Sequence, residues 1–235
     1  MEKDIKDYRN AELKSYIIGN ILLVLVSSGL LDQILVVTRE ASLYKAVTSA
    51  LSSALFSAIL YIFIFLADSI VPGEWKNKII WIKFLKPGNS IFTRIRAHNK
   101  DSRFTCEKAK EVYKDIYSEI DKKDKSKKNI ENIENSSWYK IYKKHESNAQ
   151  VSVSQRDFLL CRDMFVMTIF VVVGYVCLQI HLNQNISLKM LGIFGIEFLI
   201  CWISAVIKSW RFAYNVIAID IAKYEKKEEP SKIIV

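Results

Sequence analysis

Two long uncharged segments most constrain what this chain can fold into. Residues 46–67 and 164–188 contain no Asp, Glu, Lys or Arg, and these runs of 22 and 25 residues are mostly apolar. Both exceed the roughly 18 residues expected of a membrane-spanning helix. The chain is 51% hydrophobic and 25% charged, and the two kinds of residue are segregated into blocks. This pattern excludes an ordinary cytosolic globular enzyme and favours an integral membrane protein.

The hydropathy pattern predicts four membrane-spanning helices, at 16–37, 46–71, 164–182 and 190–207. At 1.5 Å per residue, roughly 18 to 22 residues cover about 27–33 Å, which is enough for the hydrocarbon core of a bilayer. A β-barrel would instead need alternating segments of about ten residues. A cleaved secretory signal is the alternative for the first span, but residues 1–14 balance four basic with four acidic residues.

Lys and Arg counts predict the orientation, because cytoplasmic loops carry the excess of these residues. The stretch 72–162 holds 21 of them, whereas the turns 38–45 and 183–189 hold two and one. We therefore expect a multi-pass membrane protein with both termini in the cytoplasm.

The predicted fold is an all-α integral membrane protein with four transmembrane helices in two hairpins and a cytoplasmic helical insert. Its parts are a cytoplasmic arm (1–15), a first transmembrane hairpin (16–71), a basic cytoplasmic helical domain (72–160), a second transmembrane hairpin (161–208) and a cytoplasmic tail (209–235). One protomer has too few helices to enclose a wide pore, so a pore of this kind requires a homo-oligomer.

The basic domain carries nearly all of the chain's surplus charge. Residues 72–160 hold 20 Lys and Arg against 12 Asp and Glu, a net +8 out of +9. Apolar residues at helical spacing predict an amphipathic helix over 104–120, and the charged run 121–135 predicts a mobile loop. A second helix is predicted from Ser137. After Ser152, the pattern predicts one long helix that continues into the third span.

Polar residues inside the spans are costly, so each is a candidate for function. The candidate pore or gate residues are Glu197, Ser204, Ser49, Ser53, Ser57 and Asp68. The functional interpretation is a water-filled path for ions. The alternatives are a helix-packing seam for the serines, a hydrogen-bonded structural acid for Glu197 and a snorkelling side chain for Asp68.

No catalytic or metal-binding motif is present in the sequence. The nucleotide-binding glycine loops, the zinc-protease motif and the serine-hydrolase motif are all missing, and the three histidines are scattered. Arg162–Asp163 is the only candidate acid–base pair, and an ion pair where the third span starts is the alternative. We therefore expect neither an enzyme nor a cofactor.

The basic domain contains a cluster that suits phosphate groups. Its candidate ligand-binding residues are Arg94, Arg96, Arg103, Lys76 and Lys78. Arginine makes bidentate contacts with phosphate, and the phenylalanines that flank the arginines offer stacking faces for bases. We expect a nucleotide or single-stranded oligonucleotide regulator, with attraction to anionic lipid as the alternative.

The layout of arm, hairpin, basic helical insert and hairpin, with segments such as SIFTRIRAHNKDSRF and SWYKIYKK, resembles small four-span effectors of bacterial antiphage systems. These include the Hailong-type channel effectors and the SMODS-and-SLOG-associated membrane effectors. The resemblance implies an oligomeric channel in a bacterial inner membrane, a nucleotide-type regulator supplied by a partner nucleotidyltransferase, and growth arrest as the output.

The function expected from these observations is a ligand-gated ion channel or pore that depolarises the membrane. A non-conducting membrane scaffold that recruits a cytosolic partner through its basic helices is the alternative. A small transporter is disfavoured, because the two hairpins show no clear internal similarity and no proline interrupts matching spans.

Overall fold

The computed structural model describes residues 5–28, 54, 58–59, 61–66, 69–81, 86–122 and 126–228. All regular secondary structure in these segments is helical, as the sequence predicts. The chain divides into two compact units. Unit 1 takes its residues from 1–80 and 159–205, and unit 2 takes its residues from 81–158 and 206–235.

Eight α-helices of seven residues or more lie within the described segments. They are α1 (Ile5–Ser27), α2 (Gly73–Ile80), α3 (Ile91–Ala97), α4 (Cys106–Val112), α5 (Lys114–Ile120), α6 (Lys127–His145), α7 (Ala149–His181) and α8 (Leu188–Glu228). The long helix predicted after Ser152 is confirmed as α7, which runs without a break through the predicted third span.

Two of the described helices, α7 and α8, are long and apolar enough to cross a membrane. They have 33 and 41 residues, so they extend for about 50 and 60 Å, well beyond the ~30 Å of a hydrocarbon core. Only their apolar parts, 164–181 of α7 and 190–207 of α8, match that thickness. The first predicted span is described as part of α1 up to Ser27, and much of the second lies outside the described residues.

The core of unit 1 is a stripe of apolar side chains on α1 packed against α7 and α8. Ile17, Ile21 and Val24 of α1 are buried at helical spacing. On the opposite side of α1, Ile18 and Leu22 are each 51% exposed. A helix that is apolar on both sides is typical of a lipid environment or of a larger assembly.

The core of unit 2 combines aliphatic side chains with packed aromatic rings. Phe92 on α3 packs edge-to-face against Tyr113 and Tyr117, with ring centroids 5.3 and 6.2 Å apart. The amphipathic stripe predicted over 104–120 is confirmed, since Ala109, Tyr113, Tyr117 and Ile120 are all buried. The stripe is carried by two helices, α4 and α5, which meet at Tyr113, and not by one.

The prediction of a mobile loop over 121–135 is wrong from residue 127 onward, where α6 begins. Ile130 and Ile133 pack against the core of unit 2, and Glu134 is buried. The carboxylate of Glu134 accepts hydrogen bonds from the backbone N–H groups of Phe92 (2.9 Å) and Thr93 (3.3 Å). These bonds cap the start of α3 and tie α6 to it. The charged segment from residue 127 is therefore ordered, although its composition alone is typical of a loop.

The segment 209–235, predicted as a tail, continues α8 as far as Glu228. Phe212, Ile217 and Ile221 are buried in the core of unit 2. Phe212 also meets Trp138 of α6 edge-to-face, with ring centroids 5.4 Å apart. The C-terminal part of α8 therefore forms one wall of unit 2.

Candidate functional site

A cluster of polar side chains joins α1, α7 and α8 in the interior of unit 1. Asn20 of α1 donates a hydrogen bond from Nδ2 to Oε1 of Glu197 on α8, over 2.9 Å. The hydroxyl of Tyr16, one turn earlier on α1, lies 2.7 Å from Oγ1 of Thr168 on α7 and 3.6 Å from Sγ of Cys201 on α8. We call these five residues the polar cluster.

Hydrogen bonds satisfy the polar groups of the cluster. The hydroxyl of Thr168 also lies 2.9 Å from the carbonyl oxygen of Met164, to which it can donate its proton. Either hydroxyl can donate in the contact between Tyr16 and Thr168, and either group can donate in the contact between Tyr16 and Cys201. Each of these polar groups is thus matched to a partner, as a low-dielectric environment requires.

Local sequence periodicity explains why these residues meet. Tyr16 and Asn20 are four residues apart on α1, and Glu197 and Cys201 are four residues apart on α8, so each pair lies on one face of its helix. Asn20 is 5% exposed and Thr168 is fully buried, whereas Glu197 is only half-buried. Glu197 and Tyr16, which is also half-buried, are therefore the partly accessible members of the cluster.

Glu197 lies at the edge of an open groove of about 540 Å³ between α1 and α8. The groove is lined mainly by apolar residues, among them Leu23, Ile193 and Ile196. An added Cβ at Gly19, which also lines the groove, would meet no atom within 4 Å in the part of the chain that the structure describes. A polar carboxylate thus faces an apolar groove that the rest of the described protomer leaves unfilled.

Other predicted pore or gate residues are placed as follows. Ser204 lies two turns beyond Glu197 on α8 and is half-buried. Ser49, Ser53, Ser57 and Asp68 lie outside the described residues.

The five predicted ligand-binding residues are divided between the two units. Lys76 and Lys78 belong to unit 1. Lys76 is buried, and its Nζ lies 3.4 Å from Oδ1 of the fully buried Asp163. Arg162 donates to the same oxygen over 2.9 Å, so the pair Arg162–Asp163 is an ion pair that Lys76 extends. The ammonium of Lys78 lies 5.4 Å from the ring centroid of Trp75.

The three predicted arginines belong to unit 2 and have different partners. Arg94 lies over the ring of Trp210, with its guanidinium carbon 4.0 Å from the ring centroid. Arg96 forms an ion pair with Asp121. Arg103 forms a two-pronged ion pair with Asp101, from Nε to Oδ1 over 2.9 Å and from Nη2 to Oδ2 over 2.6 Å.

The ion pair with Arg103 lowers the pKa of Asp101. Burial raises the pKa of Asp101, but the hydrogen bonds and the charge of Arg103 outweigh burial, so the pKa lies below its ordinary value of 3.8. Asp101 therefore stays ionised at neutral pH and holds the guanidinium of Arg103 in one orientation.

Sequence reasoning identified Glu197 but missed its partners Tyr16 and Asn20. Their signal was present, because both are polar residues four apart in an otherwise apolar part of α1. Among the described residues, no group of three or more His, Cys, Asp or Glu side chains is placed to hold a metal ion.

Comparisons of the chain with known protein families, with curated proteins and with solved structures found no match.

Proposed function

We propose that this protein is an oligomeric membrane effector that forms a ligand-gated ion channel or pore. A nucleotide or oligonucleotide bound to its basic cytoplasmic domain controls the conducting state. Its physiological role is antiphage defence through membrane depolarisation and growth arrest.

The observation that carries this proposal is the placement of Glu197. It lies near the middle of the apolar part of α8, accepts a hydrogen bond from Asn20 and borders an open groove. An ionisable group at membrane depth needs a partner or water, and such groups mark ion paths in membrane proteins. A purely structural acid would be enclosed, whereas Glu197 is half-buried.

The proposed topology has four spans with both termini in the cytoplasm. Two of these spans correspond to the apolar parts of α7 and α8, which are long enough to cross a bilayer. The first follows α1, and the second follows the uncharged segment 46–67. The concentration of Lys and Arg in 72–162 supports the cytoplasmic position of the insert.

A homo-oligomer is proposed because the described part of one protomer does not enclose a path around Glu197. The outer face of α8 is apolar and exposed at Ile196, Leu199, Ile200 and Ile203, which are 48–61% exposed. In an oligomer, the α1–α8 groove of one copy is covered by a second copy, which places several Glu197 side chains around a shared path.

The regulator and the biological setting are proposed from charge and from the resemblance in layout. The net +8 of residues 72–160 attracts phosphate-rich ligands. The antiphage effectors that the chain resembles suggest a nucleotidyltransferase as the source of the ligand. A ligand controls the channel only if it binds one of its states more tightly than the other.

Ion flux from proteoliposomes tests the proposal. The wild-type protein is expected to release a loaded ion at a rate that changes when single-stranded oligonucleotide is added. Glu197→Gln is expected to change this flux at least tenfold, whereas Glu225→Gln, which alters an exposed carboxylate of the same helix in unit 2, leaves it unchanged.

Two results would contradict the proposal: no flux under any condition, or the same flux from Glu197→Gln as from the wild type. Absence of flux together with stable retention of a cytosolic protein would favour a membrane scaffold instead.

A further inference from the structure

We infer that a polar cleft in unit 2 binds a phosphate-bearing ligand of nucleotide size. This inference rests on the proposed function, because it locates the regulatory ligand that the channel requires. The cleft has a volume of about 380 Å³, within the usual range for small-molecule sites. Its walls are the loop from Lys100 to Arg103, Gln150 of α7, and Arg211, Tyr214 and Asn215 of α8.

The charge of the cleft is positive. Three cationic side chains, Lys100, Arg103 and Arg211, line it together with one carboxylate, that of Asp101. Asp101 is engaged by Arg103 through both carboxylate oxygens. Lys100 and Arg211 have no acidic partner among the described residues, so two positive charges are left for a ligand.

The loop that carries these cations is held in one conformation by its own hydrogen bonds. Asn99 donates from Nδ2 to the carbonyl oxygens of Asp101 (2.9 Å) and Phe104 (2.6 Å). The backbone N–H of Asp101 donates to Oδ1 of Asn99 over 3.0 Å. A loop fixed in this way presents Arg103 without a further entropic cost when a ligand binds.

The floor of the cleft is part of the packed core of unit 2. Tyr214 and Asn215 are only 8% and 4% exposed. The neighbouring ring of Trp210 lies 6.2 Å from that of Tyr214 and carries Arg94 on its face. The amides of Gln150 and Asn215, which approach within 3.5 Å, add donors and acceptors beside the cationic groups.

This set of groups favours phosphate over other ligands. Arg and Lys side chains only donate hydrogen bonds, and arginine matches the geometry of phosphate oxygens. The single carboxylate is already occupied by Arg103, so the lining of the cleft offers no free carboxylate to a metal ion. A free nucleotide and the headgroup of an anionic phospholipid both offer phosphate, and the experiment distinguishes these two sources.

Binding of ATP to the full-length protein in phosphatidylcholine nanodiscs tests the inference. We expect measurable binding by calorimetry for the wild type and an affinity about tenfold lower for Arg211→Gln, because one charged hydrogen-bonding group is lost. Lys100→Gln is expected to act in the same direction. Both side chains are exposed, so neither change disturbs the core.

Lys114→Gln is the matched control, since it removes one exposed charge from the same unit away from the cleft. An equal loss of affinity in Lys114→Gln would show attraction by net charge only and would overturn the inference. Binding by Arg211→Gln at the wild-type affinity would also overturn it.

Nanodiscs that contain phosphatidylglycerol form the second arm. If lipid headgroups occupy the cleft, phosphatidylglycerol lowers the ATP affinity of the wild type, and this effect is smaller in Arg211→Gln. If the ligand is a free nucleotide, the ATP affinity is the same in both kinds of nanodisc. Absence of ATP binding up to about 10 mM, with no effect of phosphatidylglycerol, would overturn the inference for both sources.

The failure of this inference and that of the proposed function are distinguishable. Glu197→Gln is expected to bind ATP as the wild type does, because Glu197 belongs to unit 1. If nucleotide-dependent flux is present but Arg211→Gln responds as the wild type does, the cleft is not the nucleotide site, and the channel proposal is still supported. If ATP binding depends on Arg211 but no flux is measured, the channel proposal is contradicted and the inference about the cleft is supported.

Discussion

The carboxylate of Glu134 on α6 accepts a hydrogen bond from the backbone N–H of Phe92, the second residue of α3, over 2.9 Å. Thr93 donates to the same carboxylate through its backbone N–H and through its hydroxyl. Two segments 41 residues apart in sequence are therefore joined by one buried acidic group, which satisfies N–H groups that a helix leaves unpaired at its start.

Glu134→Ala is expected to destabilise unit 2. It leaves the buried backbone N–H of Phe92 and the partly buried N–H of Thr93 without their acceptor, and we expect the free energy of unfolding to fall by about 2 kcal/mol. Glu134→Gln keeps one acceptor oxygen and is expected to cost about half as much. Thermal unfolding of the full-length protein in detergent, with hydrogen exchange of residues 91–97, measures both effects.

Glu131→Ala is the control for the Glu134 substitutions, because it removes a carboxylate from the same helix without removing a cap. If it increased exchange over 91–97 as much as Glu134→Ala does, the capping role of Glu134 would be refuted.

The Asp101–Arg103 pair predicts a pH dependence of the cleft loop. Burial raises the pKa of Asp101 but Arg103 lowers it more, so the folded-state pKa lies below the ordinary 3.8. A carboxyl group whose pKa is lowered on folding contributes stability above its unfolded pKa, and that contribution is lost as the pH falls through the folded pKa. We therefore expect protection of residues 99–104 from hydrogen exchange to be constant down to about pH 4 and to fall below it.

Asp101→Asn is expected to weaken the hydrogen-exchange protection of residues 99–104 at pH 7. Below about pH 4, the difference in protection between this variant and the wild type is expected to disappear. Asp115→Asn, an exposed position on α5, changes the net charge equally and is expected to leave the loop unaffected. A wild type–variant difference that stayed constant down to pH 3 would contradict the assignment.

Hydropathy and periodicity predicted the helical fold because both depend on local sequence. The amphipathic stripe at Tyr113 and Tyr117 and the continuity of α7 are of this kind. The order of α6 from Lys127 was not predictable in that way, because it depends on the pairing of Glu134 with backbone groups from another part of the chain.

The same distinction applies to the candidate sites. Glu197 was predictable because a carboxylate in an apolar segment is costly wherever it lies. Its partner Asn20 depends on how α1 packs against α8, and sequence spacing does not report that packing. Arg211 is not among the residues predicted from the sequence, because the sequence predicts a cytoplasmic tail over 209–235. The helical spacing of Phe212, Val216 and Ile217 was the available signal.

Asn20→Leu is expected to separate the structural and conducting roles of Glu197. Leucine is similar in size to asparagine but donates no hydrogen bond, so we expect a loss of about 1 kcal/mol in stability within the membrane and an altered ion flux. The double variant Asn20→Leu, Glu197→Leu leaves no unpaired polar group at this contact. It is expected to regain stability without regaining flux.

Recovery of wild-type flux in the Asn20→Leu, Glu197→Leu double variant would contradict the role of Glu197 in conduction. Thermal unfolding and proteoliposome flux, measured on the same preparations, provide the two readouts.

Gly19→Leu is expected to disturb assembly while leaving the protomer intact. A Cβ at Gly19 meets no atom of the described residues within 4 Å, so a leucine there points into the open groove beside Glu197. If a second copy covers this groove, the added side chain collides with that copy, and the measured mass shifts to smaller oligomers.

Gly192→Leu on α8 is the control, since that position is also open but does not line the groove. Both substitutions raise helix propensity by a similar amount, about 1 kcal/mol, so only the assembly distinguishes them. Native mass spectrometry in detergent measures the outcome, and an unchanged mass distribution for Gly19→Leu would show that the groove does not lie in a subunit interface.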